Sequence, residues 1–272
     1  MESVGTILEE LRQCGMEAAM KNQAPPSQQT PSDGIWCDRC RNTGWIPVKG
    51  PDGITRMARC PDCYNRRMVV RYLKASGISA ADYERYSLET FHPWRSEDAR
   101  NMKDLAERFL KEHRKGQGFG VFGHSGAGKT HICIAVCQEL TRKYNEPHYY
   151  FSYRAEIPEL VKASRSYSTD YYDAMKVWKT RPNVYIDDLF KLAGRIEGGR
   201  LVGIDTDEHR IMFDIINSRY LNHLTTLFSS EYSVNDISKI DEALGSRIYE
   251  MVMPYGLGAK GRNQRMGGVW NG

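Results

Sequence analysis

Three groups of residues in this 272-residue chain have types and spacings that could do chemistry. The first runs Gly123-His124-Ser125-Gly126-Ala127-Gly128-Lys129-Thr130 and reads G-x-x-x-x-G-K-T. An apolar stretch ending at Phe122 precedes it, and Ile132, Ala135, Val136 and Leu140 recur at helical spacing after it. Glycine is needed there because successive backbone N–H groups must wrap a phosphate at a helix N-terminus, where side chains would block the approach. Gly123, Ser125, Gly126, Ala127, Gly128, Lys129 and Thr130 are therefore the expected ATP-binding loop. In it Lys129 would neutralise the β- and γ-phosphates and Thr130 would ligate Mg²⁺.

The second group is Asn183-Val184-Tyr185-Ile186-Asp187-Asp188, an apolar strand ending in two carboxylates 57 residues beyond Thr130. Asp187 is expected to hold Mg²⁺ through water. Asp188 is expected to orient or deprotonate an attacking water, because in-line phosphoryl transfer needs a positioned nucleophile. Any α/β strand can end in acids; the preceding phosphate loop makes this one specific.

The third is Cys37-x-x-Cys40 and Cys60-x-x-Cys63, with nineteen residues between the pairs. Trp45 to Val48, the turn Lys49 to Gly53 and Ile54 to Met57 read as a hairpin carrying both knuckles. Four soft thiolates in that arrangement make a closed tetrahedral Zn²⁺ site of the ribbon type, structural because no position is left for water. Disulfides are the competing reading, disfavoured for a cytosolic nucleotide-binding protein. Cys133 and Cys137, four apart on the helix after the phosphate loop, read as core packing, and Cys14 has no such partner.

The elements that must position these groups follow from the rest of the chain. With 40% hydrophobic and 26% charged residues, the length allows one medium α/β domain plus a small appendage. No apolar run approaches the roughly 20 residues of a membrane span, and no signal-peptide core opens the chain, so the expectation is a soluble, cytoplasmic protein without a membrane partner. Residues 37–74 hold nine Lys/Arg against three Asp, a local +6 in a chain of net charge +4. Such a basic segment suits nucleic acid, an acidic partner or simply a solvated face.

In chain order, Val4, Ile7, Leu8 and Leu11 stripe a short helix over residues 3–21, followed by a Pro/Gln/Ser-rich linker. The organisation expected is residues 1–34 as helix and linker, 35–75 as ribbon with a basic helix stopped by Gly77, and 76–272 as the ATPase domain. Ser96 caps a helix leading to the phosphate-loop strand, His148 to Ser152 form a strand, and Pro158 opens a helix to about Ser164. Gly194 to Gly203 read as a mobile excursion, and Asp205 with Glu208 have capping-box spacing. Leu224 to Ser229 form a strand ending in polar groups at the edge where a parallel sheet binds ligands. Gly256 to Asn263 read as a poorly ordered tail. Between Arg154 and Arg181 basic and aromatic residues interleave, as on a base-stacking surface, although an amphipathic helix with core aromatics fits slightly better. Arg219 reads as a favourable charge at a helix C-terminus, with a subunit-interface arginine as the alternative.

The order phosphate loop, Asp187-Asp188, Ser229-Ser230 and then Gly245-Ser246-Arg247 resembles the AAA+ ATPases, and within them the bacterial and phage helicase loaders of the DnaC/DnaI type. The resemblance covers about residues 76–255, and the Cys₄ ribbon is similar to that of DnaI-like loaders. It implies a three-layer α/β domain with a five-stranded parallel sheet of order 5-1-4-3-2. It also implies a γ-phosphate-sensing residue at Ser230, with Ser229 the alternative, and an arginine, Arg247, that reaches into a neighbour's ATP site. Only 25 residues follow Arg247, so no helical lid is expected and no second sensor arginine is assigned. The implied function is an ATPase, slow and stimulated by DNA or partner, that self-associates with ATP at subunit interfaces and delivers a hexameric replicative helicase to single-stranded DNA. A transposase-helper ATPase of the IstB kind is the alternative, disfavoured by the ribbon. A zinc-ribbon adaptor using ATP only structurally is another, disfavoured by Asp188 and Arg247.

Overall fold

The computed structural model describes residues 33–166, 169–197 and 200–259. The expected N-terminal helix and most of its linker lie outside them.

The chain enters through the ribbon. Strands β1 (Trp45–Lys49) and β2 (Thr55–Arg59) pair antiparallel, Trp45 opposite Arg59 and Lys49 opposite Thr55. Helix α1 (Tyr64–Ala75) follows and stops at Gly77, whose φ of +88° lies in the left-handed region that favours glycine. Its Leu73 is buried in the core of the following domain, which ties the ribbon to it. Helix α2 (Ala80–Arg85) and a short 3₁₀ turn at Pro93–Arg95 form the connector. Helix α3 (Glu97–Glu112) starts where Ser96 Oγ accepts the Ala99 N–H, the cap expected there.

Strand β3 (Phe119–Gly123) leads through the glycine-rich loop into α4 (Lys129–Tyr144). Strand β4 (Tyr149–Ser152), helices α5 (Tyr153–Arg165) and α6 (Thr169–Thr180), and strand β5 (Val184–Asp187) follow. A small hairpin, β6 (Gly194–Glu197) and β7 (Arg200–Ile204), comes before α7 (Thr206–Leu221) and β8 (Thr226–Ser230). Helices α8 (Val234–Ile240) and α9 (Glu242–Val252) lead to β9 (Gly256–Ala259). Strands β4, β5, β8, β3 and β9 lie side by side in that order with every pair parallel. Numbered along the domain this is 5-1-4-3-2, the order the resemblance implied.

Adjacent strand residues face opposite sides of a sheet. Val121 and Phe122, Tyr185 and Ile186, and Leu227 and Phe228 accordingly divide between two separate buried clusters. One cluster joins Met102, Phe109, Ile132 and Leu140 of α3 and α4; the other joins Ile211, Ile215, Leu244 and Ile248 of α7 and α9. Helices thus cover both faces, as a parallel sheet of continuous apolar strands requires. Cys133 and Cys137 are buried in the first layer.

Four expectations are corrected. Gly256–Ala259, the start of the expected tail, is the edge strand β9; residues 260–263 lie outside the described residues. Its close approach is what the glycines permit, since a Cβ on Gly123 (φ +124°) would meet the Ala259 carbonyl oxygen at 2.1 Å. The stretch at 194–204 is a hairpin, although residues 198–199 at its tip lie outside the described residues. Helix α5 begins five residues before Pro158, which sits inside it; burial of Tyr153 and Ile157 in the second cluster extends the helix upstream despite the proline. Asp205 does cap α7, accepting the Asp207 and Glu208 N–H groups, but Glu208 takes the Tyr153 hydroxyl (2.5 Å) instead of closing a capping box.

Candidate ATP and metal sites

The loop between β3 and α4 turns on positive-φ glycines, Gly126 at +78° and Gly128 at +97°, and α4 starts with no capping side chain. Lys129 is buried, and its Nζ donates to the Gly123 and His124 carbonyls, both at 2.9 Å. Burial lowers its pKa, partly offset by Asp188 and Glu231. A desolvated ammonium held only by carbonyls beside open helix amides fits an anion of several charges. The loop lies in a cleft of about 360 Å³ that Asp188, Lys191 and Glu231 line on one side and the connector lines on the other. His131 fixes that connector wall: its ring lies between Tyr86 and Phe91, at 5.2 and 5.0 Å, with Nε2 2.9 Å from the Ser87 carbonyl.

Across the cleft, Asp187 ends β5 almost fully buried. Its Oδ1 accepts from Thr130 Oγ1 (3.1 Å), Ser229 Oγ (2.6 Å) and the Tyr185 hydroxyl, and its Oδ2 accepts from the Tyr150 hydroxyl (2.7 Å). Thr130 and Asp187, expected to share a cation, are thus in contact. Asp188 leaves the strand at φ +56°, a conformation strained for a non-glycine residue, with its N–H on Ser229 Oγ at 3.0 Å. Its carboxylate pairs with Lys191 Nζ at 2.8 Å, and Lys191 also holds Glu231 at 3.0 Å. Burial would lower the Lys191 pKa, but the two carboxylates prevail and raise it; the Glu231 carboxyl, despite its own burial, is held down by the same ammonium.

Of the two serines, Ser229 reaches the Asp187 carboxylate and the Asp188 backbone N–H. Ser230 does not: its Oγ donates to the Leu189 carbonyl at 2.8 Å. The sensing role assigned to Ser230 therefore has its geometric candidate in Ser229, since alternate strand residues face opposite sides and only Ser229 shares the face of Asp187. Arg247, on α9, lies outside the cleft of its own chain; its guanidinium packs over Phe213 and Tyr220, at 5.4 and 5.8 Å, and donates to the Ala243 carbonyl. Arg219 lies in the last turn of α7, as expected of a helix C-terminal charge, but its guanidinium is drawn into the core. It is fully buried and bonded to Thr226 Oγ1 and to the carbonyls of Trp178, Arg181, Pro182 and Thr225, with burial pulling its pKa down to about 9. In the basic and aromatic stretch Met175 and Trp178 are core, Trp178 edge-on to Phe151, while Tyr172 is exposed. Lys191, Glu231, Tyr150 and His131 carry no motif of their own; only the polar strand end at Glu231 hinted at the site.

In the ribbon the four Sγ atoms of Cys37, Cys40, Cys60 and Cys63 all lie within 4.8 Å of one another. Cys37 to Cys60 is 3.7 Å and Cys40 to Cys63 is 3.5 Å, close to the edge of about 3.8 Å of a thiolate tetrahedron around a metal. Burial opposes ionisation of Cys40, yet the Gly44 N–H and the neighbouring thiols bring it down to about 7. Arg67, read only as part of a basic helix, is buried here: Nε donates to Cys63 Sγ (3.3 Å) and Nη1 pairs with Asp33 (2.5 Å). These residues fit a tetrahedral metal with its outer shell in place.

Comparison with known proteins agrees with this geometry. No protein-family model matches the chain. The phage-like element PBSX protein XkdC of Bacillus subtilis is 30% identical over 280 aligned positions, covering 98% of both chains. The DnaC helicase loader superposes at TM-score 0.54 with 22% identity over 67% of this chain and all of that structure. DnaI superposes at 0.53 with 20% identity over 72% of this chain and all of that one. This chain belongs to the family of XkdC, and it has the AAA+ fold of the DnaC/DnaI-type loaders, preceded by a four-cysteine ribbon.

Proposed function

We propose that this protein is an ATP-dependent loader that binds a hexameric replicative helicase and delivers it to single-stranded DNA. The observation that carries the reading is the joined site: buried Lys129, Thr130 in contact with Asp187, and Asp188 at the strand end, on a sheet shared with a protein described as a helicase loader. Mg²⁺ bound with ATP would neutralise charge on the β- and γ-phosphates. The chain's own part is to exchange the Lys129 contacts with Gly123 and His124 for phosphate oxygens, and to turn Thr130 from Asp187 to the cation. Asp188, freed from Lys191, would orient the attacking water and accept its proton, and Ser229 would report on the γ-phosphate through Asp187 and the Asp188 N–H. Arg247, turned away from its own cleft, would complete a neighbour's site, so that ATP couples to self-association. The ribbon, holding Zn²⁺, would grip the helicase. The DNA-facing residues are assigned to the ATPase domain as a whole.

The test is loading of a hexameric replicative helicase onto circular single-stranded DNA, with unwinding as readout. The expected outcome is ATP-dependent loading that Lys129→Ala abolishes together with nucleotide binding. Unwinding that ignores this protein, or nucleotide affinity within a few-fold of wild type in Lys129→Ala, would contradict it.

A further inference from the structure

We propose that Tyr150 is a positioning residue for the divalent-cation site: its hydroxyl fixes the Asp187 carboxylate in the orientation from which that carboxylate holds Mg²⁺. The inference rests on the ATPase reading above and adds a residue to it.

Asp187 is an acid with an unusual escort. Among the described residues no ammonium or guanidinium pairs with it; its four close donors are the hydroxyls of Thr130, Tyr150, Tyr185 and Ser229. Hydroxyl dipoles stabilise an ionised carboxylate without cancelling its charge, so a buried negative site remains for a cation. Three of those donors sit on Oδ1, whereas Tyr150 is the one donor on Oδ2. When Thr130 turns to the cation, Tyr185 and Ser229 still occupy Oδ1. Oδ2 then has one lone pair free, and the Tyr150 hydroxyl sets where that lone pair points.

The sheet explains why this tyrosine can do so. Tyr185 and Asp187 are two apart on β5 and share a face, and Tyr150 on β4 lies directly opposite Tyr185 in the parallel register, ring centroids 5.6 Å apart. The Tyr150 backbone is pinned from the other side, its N–H on the Ser76 carbonyl at 2.7 Å. A tyrosine phenol, with an ordinary pKa of about 10, is protonated at neutral pH and so donates here. Tyr150 is also more exposed than fully buried Tyr185, so losing its oxygen leaves the ring packing in place.

The experiment is Tyr150→Phe on the full chain, titrated with a fluorescent ATP analogue across Mg²⁺ concentrations and again in excess chelator, with Mn²⁺ binding followed by paramagnetic resonance. The expected result is unchanged analogue affinity in chelator, an unchanged melting temperature, and a Mg²⁺ concentration for half-maximal tightening raised about tenfold, the scale of one charge-assisted hydrogen bond. Mn²⁺ affinity should fall by the same factor. An unchanged or lowered Mg²⁺ requirement would overturn the inference, as would an equal loss of affinity in chelator, which marks a purely structural role. If the wild-type protein binds the analogue without regard to Mg²⁺, the ATPase reading falls and this inference with it, an outcome distinct from a Mg²⁺-responsive wild type with an unaffected variant.

Discussion

The ribbon hairpin and the parallel sheet are held together by different means. In the hairpin Trp45 is 44% exposed, Val48 45% and Met57 62%, so the strands bury little against each other or anything else among the described residues. What is buried is the ring of Cys40, Cys60 and Cys63 with Ile35 and Val70 around it. In the sheet every residue of β5 and β8 is buried. A hairpin of five-residue strands is marginal alone, whereas two helical layers over five strands bury enough surface to fold without a staple. With a metal held by its four cysteines, the ribbon would depend on that metal, whereas the sheet depends on exclusion of water.

The sharpest way to break that contrast is to remove the metal. The purified protein should carry one Zn²⁺ per chain, and Cys60→Ser should unfold residues 37–63 while nucleotide binding persists. Structural zinc is worth about 10–16 kcal/mol of apparent binding energy, more than a ribbon this small can replace. Metal analysis and limited proteolysis check both parts. Protein without zinc, prepared in the absence of chelator, or loss of nucleotide binding in Cys60→Ser, would show the division to be false.

A smaller effect reads the sheet directly. Phe228→Ala, fully buried in the second cluster, should cost about 3–5 kcal/mol in denaturant unfolding of the α/β sheet and its helices. Acid probes the same interior through His148, whose ring is fully buried with Nε2 on Tyr83 (2.6 Å) and Nδ1 on Thr141 (2.7 Å). Burial pushes its pKa down to about 3, from about 6.5 in an unfolded chain. The folded pKa is the lower one, so this stability is present above about pH 6.5 and is lost as pH falls toward 3. At pH 5 the loss should be about 2 kcal/mol. Melts of Cys60→Ser at pH 7 and 5, where the ribbon no longer contributes, should show it, and His148→Gln should flatten it. Least of all, Val48→Ala on the exposed hairpin should change stability by less than about 0.5 kcal/mol.

The same contrast explains what could be read in advance. The phosphate loop, the Asp187-Asp188 strand end and the cysteine knuckles were legible because each needs particular residue types at fixed local spacing. The sheet order came from resemblance, not from periodicity. What stayed hidden is carried by contacts between distant segments. Gly256 to Ala259 has the composition of a tail and becomes a strand only because it pairs with β3, where Gly123 lets it approach. Arg219 looks like a terminal helix charge until α7 is packed against the Trp178–Thr225 carbonyls. Tyr150 is one apolar-strand residue among several until β4 is placed in register with β5. Ser229 and Ser230 differ only in which face of β8 they occupy, which the sequence left open.

In the proposed function ATP is hydrolysed between subunits, with Asp188 from one and Arg247 from the next. Arg247→Ala should leave each subunit's ATP binding nearly intact, because Lys129, Thr130 and the loop amides are untouched. Its hydrolysis should fall steeply, toward the roughly 10³–10⁵-fold that a transition-state guanidinium contributes in related phosphoryl transfers. The most direct measurement mixes Arg247→Ala with Asp188→Ala under assembly conditions. Each variant alone should be inactive, and the mixture should recover activity at interfaces that join an intact Asp188 to an intact Arg247. If the two variants co-assemble and the mixture stays inactive, Arg247 does not act across the interface and the claim is wrong.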